Sequence, residues 1–222
     1  MALEKVTMTV LIDNTSHPPF KKAWGLSILI ESPEVKILWD SGPDPNTLTH
    51  NANILNKDLK VDYLIFSHRH WDHTGGTEAV RYRKAIAPRD WLFPKFKNLV
   101  MNNKYLKLID EVIVTRPLMG MGLPEQALLI DVKGYGTVML VGCSHPGVAD
   151  MYEDVVKNLG IRPRMVIGGF HLFGAPKRLV EETIARLRNL GAEKLHPIHC
   201  SGEYAKLLAR SDVETGTVIE LP

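Results

Sequence analysis

One stretch, residues 61–76, restricts this chain more than any other. It reads Val-Asp-Tyr-Leu-Ile-Phe-Ser-His-Arg-His-Trp-Asp-His-Thr-Gly-Gly. The apolar run 63–66 predicts a short buried strand that stops at Ser67. Four metal-ligand types follow at once, His68, His70, Asp72 and His73, and then Gly75 and Gly76 lead toward a helix. Imidazole and carboxylate together suit zinc, and also iron or manganese. Residues two apart on an extended segment point the same way, so His68 and His70 can share one ion. Asp72 and His73, where the chain turns, can face a second ion. Two ions about 3.5–4 Å apart make the clamp used in hydrolysis. The plain alternative is a solvated loop that happens to hold three histidines. The strand before it and the glycines after it weigh against that.

The rest of the sequence bounds the surroundings of this motif. Its 222 residues, 45% of them hydrophobic, are enough for a substantial core. The net charge of +2 gives no field that would recruit nucleic acid or a membrane surface. No apolar run approaches 20 residues and no charged-then-apolar leader opens the chain, so a soluble, cytoplasmic protein is expected. Cys143 and Cys200 are the only cysteines, and a disulfide between them is a poor reading in a reducing compartment.

Alternating or continuous apolar runs predict strands over 5–13, 25–32, 35–40, 84–87, 111–115, 126–132, 137–142, 165–170, 194–198 and 217–221. Gly134-Tyr135-Gly136 reads as a hairpin turn. Helices are expected over 44–56, 77–83, 148–159, 176–190 and 203–210, with Gly191 closing the fourth. Residues 88–110, rich in lysine, asparagine, aromatics and proline, read as a mobile cap or partial helix. Trp91, Phe93 and Phe96 there either contact a flat substrate or pack the segment down.

Several strands end on residues with chemistry. Asp40, in Asp40-Ser41-Gly42-Pro43, is either a turn aspartate or a carboxylate reaching into a site above the sheet. In Gly142-Cys143-Ser144-His145-Pro146-Gly147, His145 sits in a strand-end loop, where function collects. Cys143 is either a bridging or second-site ligand or a small core residue. His171 follows Gly168-Gly169-Phe170, and His199 opens His199-Cys200-Ser201-Gly202.

These elements, from about residue 25 to 202, resemble the metallo-β-lactamase superfamily. Within it they are similar to the branch of 7,8-dihydropterin ribofuranosylaminobenzene 5'-phosphate synthases. The resemblance implies an α/β, four-layer αββα sandwich over residues 1–222, in two sheet-plus-helix halves, about 1–110 and 111–222. It also implies that Asp40 orients a ligand histidine from beneath the site. Two divalent ions, zinc first with iron or manganese as alternatives, are expected on His68, His70 and His145 for one, and Asp72, His73 and His199 for the other. A water between them would be acidified toward a hydroxide nucleophile. Asp72 and His171 are the expected catalytic residues. His171 either protonates a leaving group, holds a phosphate, replaces His145 as a ligand, or is structural. The sequence departs from the family pattern twice. The loop Gly120-Met121-Gly122-Leu123-Pro124 carries no histidine, and Cys143 and His145 stand where a bridging aspartate is usual. Both departures argue against ordinary lactamase or glyoxalase chemistry. The function expected is a metal-dependent enzyme acting on a phosphorylated or pterin-like small molecule. A phosphodiesterase and a non-catalytic metal or redox protein are the alternatives.

Overall fold

The motif strand, β4 (Lys60–Ile65), lies inside a sheet that is buried on both faces. Ile65 faces one way, into a core shared with the other sheet, and Leu64 faces the other way, toward a helix. That double burial explains why the strands read as continuous apolar runs rather than alternating ones. The computed structural model describes residues 2–222.

The first sheet has the order β15-β1-β2-β3-β4-β5-β6. Its strands are β1 (Thr7–Ile12), β2 (Ser27–Glu31), β3 (Lys36–Trp39), β4, β5 (Arg81–Pro88), β6 (Leu99–Asn102) and the returning β15 (Val218–Glu220). Strands β3 to β6 run parallel. The second sheet runs β14-β13-β12-β11-β8-β7. It comprises β7 (Leu106–Ile109), β8 (Val112–Val114), β11 (Leu128–Val132), β12 (Gly136–Val141), β13 (Met165–Gly169) and β14 (Lys194–Ile198). Here β12, β13 and β14 are parallel. A small hairpin, β9 (Leu118–Gly120) and β10 (Leu123–Glu125), stands apart.

Three apolar clusters define four layers. Met8, Ile28, Ile37, Trp39 and Ile65 of the first sheet meet Val114, Leu128, Ile130, Leu140 and Ile167 of the second. Leu29, Leu38 and Leu64 face outward onto Leu48 and Ala52 of α1 (Pro45–Ile54). Leu129, Met139 and Val166 face outward onto α3 (Val148–Leu159) and α4 (Lys177–Leu190). The expected αββα sandwich is therefore the observed fold. Fully buried Trp39 also ties the layers by a hydrogen bond, donating from Nε1 to the Val141 carbonyl at 3.2 Å.

Three local expectations are corrected. Residues 77–83 form no α-helix: a single turn α2 (Trp71–Thr74) and a 3-10 turn, Thr77–Ala79, precede β5, which already begins at Arg81. Gly75 and Gly76 serve close approach rather than helix entry. A Cβ on them would lie 2.0 Å from the carbonyl oxygens of Pro43 and Ser41, respectively. Residues 88–110, expected as a mobile cap or partial helix, hold no helix. They supply β6 and β7, and Phe93 and Phe96 pack on Phe66 at 5.4 and 5.3 Å between ring centres. Trp91 is 92% exposed, with Arg89 over its ring. Among the described residues no helix is long and apolar enough to cross a membrane.

Candidate metal centre

Parallel strands all point their carboxyl ends one way, and in an α/β layer that edge collects the site. Here the ends of β3, β4, β12, β13 and β14 deliver Asp40, Ser67–His68, Cys143–His145, His171 and His199. Asp40, Ser144, His171 and His199 all adopt left-handed backbone conformations, with φ of 54°, 64°, 54° and 54°. Non-glycine residues hold that conformation only where surrounding bonds impose it.

The motif loop is supported from below. Buried Asp40 accepts from Ser67 N at 2.7 Å, Ser67 Oγ at 2.7 Å and His73 Nδ1 at 2.6 Å. Ser41 N donates to the His73 carbonyl at 2.8 Å, and Leu26 N to that of Asp72 at 3.2 Å. Because the Ser67 hydroxyl proton goes to Asp40, Oγ is left to accept from His68 Nδ1 at 2.9 Å.

The donor atoms then fall into two groups. His68 Nε2 lies 3.1 Å from His70 Nδ1, and the ring of His145 stands 4.8 and 5.0 Å from those two rings. On the other side His73 Nε2 is 3.2 Å from His199 Nε2 and 3.6 Å from Asp72 Oδ2, which is itself 3.4 Å from His199 Nε2. Cys143 Sγ sits between the groups, 3.2 Å from His73 Nε2 and close enough to join His68 and His73 around one point. His171 joins neither trio. Its ring is 4.7 Å from that of His145, and its donor atom clusters with Cys143 and Cys200 instead.

These residues fit metal ions on chemical grounds. The outer nitrogens of four rings are tied down. Besides His68 and His73, His145 Nδ1 binds Glu125 Oε2 at 2.7 Å and His199 Nδ1 binds Asn14 Oδ1 at 2.9 Å. An occupied Nδ1–H fixes the tautomer and turns the Nε2 lone pair inward, as metal-binding histidines require. Inward lone pairs about 3 Å apart repel unless a cation or proton lies between them. The charge pattern agrees. Burial favours neutral His73, but the carboxylates of Asp40, Asp72 and Glu125 outweigh it and push its pKa up to about 9. Burial, with the neighbouring imidazoles, holds His68 well below its ordinary value, so it is a neutral donor. Burial also opposes the Asp72 charge, yet His199 and His73 bring its pKa down to about 2.

Sequence reasoning passed over two supports. Glu125, wholly buried at the end of β10, accepts from the backbone of Cys143, Ser144 and His145 at 2.7, 2.8 and 2.9 Å, besides His145 Nδ1. Its signal was a carboxylate inside the apolar run Leu123-Pro124-Glu125-Gln126-Ala127-Leu128. Asp13 accepts from His199 N at 2.5 Å. Asp13 and Asn14 end a strand, as Asp40 does, and could have been marked for the same reason. Around the mouth, Trp24 meets the His199 ring edge-on at 5.4 Å and Phe173 at 5.9 Å, while Trp71 is 63% exposed.

Comparison with known proteins agrees with this geometry. The family model described as Metallo-beta-lactamase superfamily matches residues 25–89. The 7,8-dihydropterin-6-methyl-4-(beta-D-ribofuranosyl)-aminobenzene-5'-phosphate synthase of Methanocaldococcus jannaschii is 28% identical, over 84% of this chain and 83% of its own. The crystal structure of Tm1679, described as a metal-dependent hydrolase of the beta-lactamase superfamily, superposes with a TM-score of 0.81 at 23% identity, covering 97% of this chain and 99% of that one. A diphosphatase of the PhnP family superposes with a TM-score of 0.62 at 12% identity, over 98% and 97% of the two chains. The chain carries the fold of these solved structures, and its residues 25–89, which hold the histidine–aspartate motif, match the metallo-β-lactamase superfamily model.

Proposed function

We propose that this chain is a dinuclear metal-dependent enzyme acting on a phosphorylated or pterin-like small molecule. The observation that carries the reading is the pair of converging trios, His68–His70–His145 and Asp72–His73–His199. When bound, two divalent ions would supply an activated water or other nucleophile and neutralise charge on a phosphoryl group. The chain's own residues do the rest. Asp40, Glu125 and Asn14 hold His73, His145 and His199 in register through their Nδ1 atoms. His171, half-exposed beside His145, is placed to contact a leaving group or phosphate. Trp24 and Phe173, at the rim, offer flat apolar surface to an aromatic substrate.

The similarity to the synthase favours a condensation that joins a dihydropterin to a ribofuranosylaminobenzene phosphate, and with a dihydropterin diphosphate as the donor the leaving group would be pyrophosphate. The test is pyrophosphate release from metal-loaded protein given a dihydropterin diphosphate and a ribofuranosylaminobenzene phosphate. Release that needs both compounds supports the synthase reading. Hydrolysis of simple phosphodiesters without it supports the second reading, a phosphodiesterase. No turnover of either kind in protein holding its metal would leave the non-catalytic alternative.

A further inference from the structure

We propose that Cys143, His171 and Cys200 form a third metal site, thiolate-rich and distinct from the two trios, for a thiophilic d10 ion such as zinc. The donor atoms of these three residues all lie within 4.8 Å of one another. In a tetrahedral zinc site two thiolate sulfurs stand about 3.8 Å apart, so only a small inward movement closes the set. The proposal goes beyond the dinuclear reading and does not depend on it, because Cys200 belongs to neither trio.

Three strand ends build this cluster. Cys143 follows β12, His171 follows β13, and Cys200 follows β14, so neighbouring parallel strands set the three side chains side by side. Cys143 and Cys200 are the only cysteines in the chain, 57 residues apart, and both are buried free thiols. The backbone makes room for them. A Cβ at Gly169 would lie 2.7 Å from Cys200 Sγ and 2.4 Å from the Gly142 carbonyl, so only glycine lets β13 pass beneath the thiol. The left-handed conformation of His171, φ 54°, brings its imidazole within 4.8 Å of the Cys200 thiol. The third ligand is the exposed one of the three, which gives an ion a way in from solvent. Two thiolates and an imidazole are a soft donor set, and select zinc, cadmium or cuprous copper over magnesium or calcium.

Binding is balanced by proton release: both thiols lose a proton, the ion gains two thiolates and one neutral imidazole, and a fourth position stays open. The occupied site would leave Cys143 anionic 3.2 Å from His73 Nε2. The outer ion would thus stand against the dinuclear centre through one shared sulfur.

The test is cadmium binding to the full-length reduced chain, followed by elemental analysis and by thiolate-to-cadmium charge-transfer absorbance. Wild type, Cys200→Ser and His171→Asn are measured side by side. The expected result is one cadmium more per chain in wild type than in Cys200→Ser, with the thiolate-to-cadmium absorbance of that ion lost along with it. His171→Asn, whose side chain tolerates the left-handed conformation at this exposed position, should weaken the same equivalent while keeping two titratable thiols. Equal cadmium and equal absorbance in wild type and Cys200→Ser would overturn the proposal. Failure of the dinuclear reading would look different, since His68→Ala would then remove no ion while the difference between wild type and Cys200→Ser remained.

Discussion

The two sides of the centre are built differently. On the first-sheet side His68, His70, Asp72 and His73 come from one short loop, and one carboxylate, Asp40, braces it from the neighbouring strand. On the second-sheet side Cys143, His145, His171 and His199 come from three separate strand ends. Their braces are far away in sequence: Glu125 for His145, Asp13 and Asn14 for His199. A contiguous motif carries its own geometry. A dispersed one depends on the sheet and on buried carboxylates, so its supports should cost more to remove.

Glu125→Ala should show this most strongly. It leaves three backbone N–H groups and His145 Nδ1 without their acceptor in a buried site, and should destabilise the fold by about 3–5 kcal/mol. Chemical denaturation reads the loss. A change near zero would mean that water replaces the carboxylate and that the dispersed side is not the more dependent one.

Asp40→Asn keeps shape and some hydrogen bonding, so its effect should fall on the ion held by His73. Loss of a brace of this kind typically weakens metal binding about 10–100-fold. Competition with a chelator measures it. An unchanged affinity would show that the loop holds His73 in place without Asp40.

The raised His73 pKa gives a pH signature to the ion-free chain. The folded value of about 9 exceeds the ordinary 6.5, so the protonated ring contributes stability that is fully present below 6.5. That contribution is lost as pH rises through about 9. Ion-free protein should therefore weaken between these values, while affinity for the second ion rises as the competing proton leaves. His73→Gln should flatten both slopes, and a slope that survives the substitution would assign it to another group.

Trp39→Phe is the mildest case. It removes one hydrogen bond between the sheets and trims one ring from a fully buried indole, so about 1–2 kcal/mol is expected. A loss several times larger would make the bond to Val141 a hinge of the sandwich rather than one tie among many.

The contrast also decides what could be read from the sequence. The motif loop was legible because its ligands are adjacent and an apolar run, 63–66, leads straight into them. The αββα layering came from the family resemblance, and continuous apolar runs such as 28–30 and 138–141 fit it, since these strands are covered on both faces. Strand β5 was half hidden because residues 81–84 face solvent in part and read as polar, while only 85–88 are buried. The hairpin β9–β10 is too short to show a period, with Met119 largely exposed. Glu125 was missed with it, since its partners lie about 20 residues on and only the folded chain brings them together. The left-handed strand ends at Asp40, Ser144, His171 and His199 have no glycine to announce them.

The most direct test of the central claim is metal content per chain in protein purified without chelator, for wild type, His70→Ala and His199→Ala together. The account predicts two ions in the two trios of wild type, with one lost in each variant and a different one in each case. Any outer ion on Cys200 is removed from this count by making the comparison in the Cys200→Ser background. One ion in wild type, or variants that keep both, would contradict it.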